Sequence, residues 1–431
     1  MHKIELKQVQ ETLYHEKLDN GLEVYLLPRS GFSKTYATFT TKYGSIDNTF
    51  QVPGKEKISV PDGIAHFLEH KMFEQESGED VFQQFSRQGA SANAFTSFTR
   101  TAYLFSCTEN VEQNINILLN YVQSPYFTDQ NVEKEKGIIG QEIRMYDDNP
   151  DWRSYFGLIE AMYQEHPVKI DIAGTVESIA KITKETLYTC YETFYHPSNM
   201  LLFMVGPIDP QQMITLIKEN QAQKPFKPQA EIQRFFEKEP DEVAQKVNEM
   251  RLSVGVSKVM CGFKEGREAV GKTGEELLKQ ELTTSILLDV MIGSGSELYQ
   301  SLYDDGLIDD NFGFDYSLEQ GYGFSMMGGD SSDPDRFLER IQKEIPAFVE
   351  KGISEDEFER IRRKKIGQSL RSLNSSESIA NQFTSYRFND SDLFRIIPLL
   401  EEITLEDVNQ RMIEHIQWNR FAVSLVRPLQ S

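Results

Sequence analysis

Residues 62–70 read DGIAHFLEH, which sets His66, Glu69 and His70 close together on what can be a single helix. At 3.6 residues per turn the two histidines lie about 40° apart on one face, so both imidazoles can reach one ion. Glu69 falls about 60° to the other side of His66, near enough to polarise a water held by that ion. Two imidazoles plus one carboxylate suit zinc, which keeps a fourth position for water and lowers the pKa of that water to about 7. On the pentapeptide HFLEH alone, an amphipathic helix with two ordinary histidines stays open as a reading.

A third ligand has to come from elsewhere, and the stretch NVEKEKGIIGQEIRMYDD at 131–148 offers Glu133, Glu135 and Glu142. It reads as a helix opened by charged residues and stopped before Pro150. Glu135 and Glu142 would point about 20° apart but sit about 10 Å apart along the axis, so one would ligate and the other would support the ligands. Glu133 fits a solvated face with local charge pairing. Glu142 interrupts the apolar run Ile138, Ile139, Ile143, and a carboxylate bordering such a run needs a partner.

The elements that must position these groups are legible around them. LEVYLLP at 22–28 and KTYATFTTKYGS at 34–45 predict strands, and AFTSFTRTAYLFSC at 94–107 predicts a bent strand or a hairpin. Helical spacing covers 111–122. Residues 221–241 mix three prolines with charges and no sustained period, which predicts a linker. Beyond it the chain starts again: GFSK (31–34) is echoed by GVSK (255–258), NMLLFMVGP (199–207) by NRFAVSLVRP (419–428), and KGIIGQEI (136–143) by KKIGQSL (364–370). The common offset, roughly 220 residues, points to a duplicated α+β unit. The expected layout is therefore an N-terminal repeat at 1–222 carrying the histidines, a linker at 223–244 and a C-terminal repeat at 245–431. Ser369 stands where the first repeat has Glu142, and no histidine pair follows GVSK, so the second repeat is expected to be non-catalytic.

Composition narrows the function classes. The chain has 431 residues and a formal charge of −22, which repels nucleic acid and anionic membranes and otherwise serves solubility. Cys107, Cys190 and Cys261 show no C-x-x-C spacing and are expected to be reduced structural residues. Neither a secretory leader nor a membrane span is evident, and a cytoplasmic location is expected.

Taken together, HFLEH, GASANAFTSFTRTAYLF, YVQSPYFTDQNVEKEKGIIGQEI, HPVKIDIAGT, FYHPSNMLLFMVGPID, GSGSELYQSLYDDGL and KGISEDEFERIR resemble the inverted-motif zinc peptidases. These include pitrilysin, insulin-degrading enzyme and the mitochondrial processing peptidase. In having two repeats the chain is similar to their bacterial processing-peptidase-like members. The resemblance implies an α+β fold of two α/β-sandwich repeats, each a mostly antiparallel sheet with helices on one face, together forming half of a clamshell. It implies His66, His70 and Glu142 as ligands of one zinc ion per chain, Glu69 as general base and Glu135 as an acidic supporting residue. Asn93, Ala94 and Phe95 match an edge strand to which an extended peptide adds by backbone hydrogen bonding. The activity implied is endopeptidase cleavage of short or unfolded peptides inside a closed chamber; the alternative is a non-catalytic peptide-binding or structural subunit of the same fold. Single-chain members place an Arg and a Tyr of the second repeat on the scissile carbonyl, whereas LYQSLYDDGLID here has Tyr303 and Asp309 at those places. Losing one such donor costs about 100-fold or more in rate. A second, related subunit is therefore expected to supply them in a heterodimer; the alternative is a homodimer.

Overall fold

The computed structural model describes residues 1–7, 9–224 and 226–429. Pro225, within the expected linker, and the last two residues of the expected C-terminal repeat lie outside the described residues. The chain forms two compact units of mixed α/β structure.

Unit 1 comprises Met1–Ile143, Ile170–Phe236 and Leu373–Ser385. Its strands are β1 (His2–Leu6), β2 (Glu11–Lys17), β3 (Glu23–Pro28), β4 (Thr35–Thr41), β5 (Thr49–Gln51), β6 (Ile58–Ser59), β7 (Ala90–Thr96), β8 (Thr101–Cys107), β9 (Met200–Gly206) and β10 (Gln233–Arg234). The main sheet runs β1-β2-β3-β9-β4-β8-β7, antiparallel at every step except β3 against β9. Strands β4 and β9 are buried along their whole length, as their continuous apolar and threonine-rich runs require in the middle of a covered sheet. The segment at 94–107 is part of a hairpin, β7 paired with β8 and turned at Ser97–Arg100, where Ser97 N bonds Arg100 O. Helices Ile64–Met72, Val81–Arg87 and Val111–Val122 pack on the β7/β8 end of the sheet. The helix expected at 131–148 spans Asp129–Asp147.

Unit 2 comprises Arg144–Lys169, Glu237–Ser372 and Tyr386–Ser431. Its strands β11 (Val247–Leu252), β12 (Ser257–Phe263), β13 (Gly313–Glu319), β14 (Tyr322–Ser331) and β15 (Phe421–Pro428) form a sheet of order β11-β15-β12-β14-β13, again with one parallel pair, β11 against β15. The helix Pro150–Met162 packs on β11, β12 and β15, with Gly157 set closely against Ser424 and Met250. Compactness thus divides the chain differently from sequence order at 222 and 245: each unit takes in a helix from the other half of the sequence, Pro150–Met162 in unit 2 and most of Ser376–Phe388 in unit 1.

The expected linker is not free chain. Through β10 it pairs with β5, and Gln229 Nε2 donates to Thr193 O, so its proline-rich path is fixed to unit 1 as far as Phe236. The three cysteines are buried and unbridged. No helix among the described residues is long and apolar enough to cross a membrane.

Candidate metal centre

The helix Ile64–Met72 begins at Gly63, whose φ of +84° is open to glycine and strained for any other residue. A Cβ there would also meet Ala173 O at 2.3 Å. The AGT of residues 173–175 is thus explained: its backbone presses on Asp62 and Gly63, and Ser178 Oγ donates to Asp62 O at 2.9 Å. Ile64, Ala65, Phe67 and Leu68 are fully or almost fully buried, which fixes the rotation of the helix. His66 and His70 are thereby turned together, their ring centroids 4.6 Å apart.

Glu142 reaches them from the helix Asp129–Asp147. His66 Nε2 lies 3.7 Å from Glu142 Oε1, and His70 Nε2 lies 3.6 Å from Glu142 Oε2. One ligand atom from each of the three residues falls within 4.8 Å of the others. Tetrahedral zinc with bonds of about 2.1 Å sets its ligand atoms about 3.4 Å apart, so the donor types fit such an ion and the 3.6 and 3.7 Å separations of Glu142 from the two imidazoles lie near its spacing. The run flanking Glu142 differs from expectation in one place: Ile139 and Ile143 are buried, but Ile138 is 45% exposed.

Around these three residues the side chains form a connected set. Glu135 Oε1 lies 3.2 Å from His70 Nδ1, which leaves His70 Nε2 facing Glu142. Lys71, fully buried, donates to Glu74 and lies 3.5 Å from Glu135 Oε2. On the other side, Thr96 Oγ1 of β7 donates to Glu69 Oε2 at 2.6 Å. Neither Lys71 nor Thr96 was singled out from the sequence. Lys71 could have been, since a lysine on the covered side of an apolar helix needs a carboxylate partner. Thr96 needed knowledge of which strand crosses the helix. Glu133 pairs with Lys136 at 2.6 Å on the surface, as its local charge pattern indicated.

The electrostatics separate the groups. Burial, with some help from His70, pushes His66 down to about 3, so it stays neutral with a lone pair to give. Burial also disfavours charge on His70, but the bond to Glu135 and the carboxylates of Glu69 and Glu142 outweigh it and raise its pKa. Burial raises Glu69, opposed by the Thr96 hydroxyl. For Glu135 burial is outweighed by His70 and Lys71, and its carboxyl is held below the ordinary range.

Strand β7 is the edge of the main sheet, with Asn93 exposed and Ala94 and Phe95 partly covered. Asn93 Oδ1 accepts from the Ala94 amide at 2.9 Å, so this side chain is engaged with its own backbone. In unit 2, Tyr303 is 42% exposed and stacks on Tyr299, and Asp309 Oδ1 accepts from Asn311 N.

Comparison with known proteins agrees with this picture. Residues 59–176 match the profile of the insulinase family, peptidase family M16, and residues 181–365 match that of the peptidase M16 inactive domain. A Bacillus subtilis protein described as the uncharacterized zinc protease YmfH is 58% identical over 426 residues, covering 99% of both chains. The crystal structure of an M16-like peptidase from Alicyclobacillus acidocaldarius superimposes with a TM-score of 0.94 at 44% identity, over 97% of this chain and 99% of the other. A Helicobacter pylori protease shares the fold at 20% identity and a TM-score of 0.83, over 96% and 99% of the two chains. With the family profiles covering most of the chain and a relative matching nearly all of it, the chain belongs to the M16, or insulinase, family of peptidases.

Proposed function

We propose that this chain is a catalytic zinc endopeptidase that cuts short or unfolded peptides. The observation that carries the reading is the convergence of His66, His70 and Glu142, ligand atoms within 4.8 Å, beside a buried and hydrogen-bonded Glu69. When bound, zinc supplies Lewis acidity to a water and to a peptide carbonyl. The protein's own residues do the rest. His66 offers a neutral nitrogen, and Glu135 fixes the ring of His70 so that its Nε2 faces Glu142. Glu69 takes a proton from water and delivers it to the leaving amine, with Thr96 holding one carboxylate oxygen so that the other faces the reaction. The edge of β7 receives the peptide as an added strand.

The second subunit belongs to the same proposal. Tyr303 and Asp309 stand where the resemblance places carbonyl-binding Arg and Tyr residues in related single-chain enzymes, so a related partner chain that carries them would complete the site. A closed chamber formed by the pair would limit the substrate to flexible chains, and a cytoplasmic location fits the reduced cysteines.

The test uses the chain isolated by an affinity tag together with whatever it associates with, loaded with zinc, and an internally quenched peptide of roughly 20 residues, long enough to span an edge strand. Chelator-sensitive cleavage is expected from the parent, and a loss of about 100-fold or more from Glu69→Gln. Cleavage by Glu69→Gln at the parent rate would remove Glu69 from the mechanism.

A further inference from the structure

The loop that follows β4 in unit 1 touches both elements that carry the groups around Glu69. Gly44 lies so close to the turn of the β7/β8 hairpin that a Cβ would meet Phe98 O at 2.2 Å. Ser45 N bonds Ser97 O at 3.0 Å, Ile46 N bonds Phe98 O at 3.1 Å, and Thr101 Oγ1 donates to Tyr43 O at 2.9 Å. Thr96, whose hydroxyl meets Glu69, is the residue just before that turn. At its far end the loop reaches the start of the histidine helix: Asn48 Nδ2 donates to Asp62 Oδ1 at 2.6 Å, and Val60 N bonds Asn48 O at 2.9 Å.

The central group of the loop is Asp47, 3% exposed. Its Oδ2 accepts from Gly44 N at 2.8 Å and its Oδ1 from Arg234 Nε at 2.8 Å. Burial pushes this carboxyl up, opposed first by Arg234 and then by the Gly44 amide. Arg234 comes from far along the chain. It sits on β10, opposite Phe50 of β5, and the next residue, Phe235, bonds Thr49 O through its amide. The same guanidinium bonds Lys42 O and lies 5.6 Å from the Phe194 ring. One fork thus ties Lys42, ahead of the loop, to Asp47, near its end, a reach that a planar guanidinium has and a point-like ammonium lacks.

Unit 2 supplies an internal comparison. Thr41 opposite Met200 is matched by Phe263 opposite Phe421, and Lys42 N bonding Asn199 O by Lys264 N bonding Arg420 O. Asp47 N bonding Gly44 O is matched by Ala269 N bonding Gly266 O. Ala269 therefore stands at the place of Asp47, and the repeat without the histidine pair has no carboxylate there for such a clamp.

We propose that Arg234 is a positioning residue for the candidate metal centre: by clamping the loop from β10 it fixes Thr96 behind Glu69 and the start of the helix that carries His66 and His70. The stretch of chain between the two repeats is then a working part of the site as well as a connection. The effect on catalysis rests on the proposed role of Glu69; the effect on the loop does not, and the two are measured separately.

The test compares the zinc-loaded, affinity-isolated chain with Asp47→Asn/Arg234→Met, which breaks the clamp, keeps an acceptor for the Gly44 amide and leaves no lone buried carboxylate. Arg234→Lys is the conservative variant, and Gln229→Leu removes a different anchor of the same stretch, the bond to Thr193 O. In the double variant the amides of residues 44–48 and 97–101 should exchange with solvent about tenfold faster or more. Its kcat on the quenched peptide should fall about 10-fold to 100-fold, with KM little changed at saturating zinc. Arg234→Lys should fall between, and Gln229→Leu should leave both readouts near the parent. Exchange unaltered in the double variant, or raised equally in Gln229→Leu, would overturn the proposal whether or not the chain cuts peptides. Faster exchange with kcat unchanged would overturn the positioning role. A parent that cuts no peptide removes the role of Glu69, and the clamp then stands only if residues 62–72 also exchange faster in the double variant.

Discussion

Thr96 and Lys71 stand behind the groups proposed to react, and each gives a separate test. Thr96→Val keeps the shape of the side chain and removes the donor 2.6 Å from Glu69. The expected result is a fall of about tenfold in kcat with KM little changed, measured on the quenched peptide, because the hydroxyl orients the base and does not bind substrate. Lys71→Met removes the cation beside Glu135 and loosens the hold of Glu135 on His70. Zinc affinity should drop by about 10-fold to 100-fold, read by competition with a coloured chelator. The two histidines and Glu69 were legible in the sequence because they lie within one helix, where spacing alone fixes direction. The sequence left Glu133, Glu135 and Glu142 as alternatives, and resemblance, with the folded geometry, set Glu142 against both imidazoles. Thr96 and Lys71 escaped because their partners are on other elements, and linear spacing says nothing about which elements meet.

At the scale of elements, the candidate metal centre depends on how the helix Ile64–Met72 is started. Gly63→Ala would place a Cβ at 2.3 Å from Ala173 O on a backbone with φ of +84°. The chain should lose about 2 kcal/mol or more of stability, seen as a lower thermal midpoint, and zinc affinity should fall with it as the helix shifts. The strands and helices near the site were readable from their apolar periods: β3, β4, the β7/β8 hairpin and the helix at 111–122 all lie where the patterns indicated. The stretch at 221–241 was readable only as irregular. Its prolines describe a path without a period, and its pairing with β5 comes from contacts far along the chain. The exchange of helices between the two compact units was likewise hidden, because an amphipathic helix reveals that it has an apolar face but not which sheet that face will cover.

For the molecule as a whole, pH and partnership supply the tests. Glu281 of unit 2 is pushed up to about 7, chiefly by burial and further by Glu319 and Asp315, against the bond from Tyr386. Because its folded pKa lies above its ordinary 4.5, its contribution to stability is complete below that value and is lost as pH rises through about 7. Denaturation midpoints of the parent should therefore decline between pH 5 and 8 more than those of Glu281→Gln, whose amide can still accept from Tyr386; equal declines would remove Glu281 as the cause. On the proposal that a partner supplies the carbonyl donors, the zinc-loaded chain free of any partner should cut the quenched peptide about 100-fold or more slowly than the assembled form. Equal rates would mean that one copy, or its homodimer, is sufficient. The most direct measurement is the zinc content of the chain after equilibrium dialysis, compared with Glu142→Ala and Glu69→Gln. One zinc per parent chain, little or none in Glu142→Ala and a full complement in Glu69→Gln is the expected result; zinc retained by Glu142→Ala at parent affinity would contradict the assignment of His66, His70 and Glu142 as its ligands.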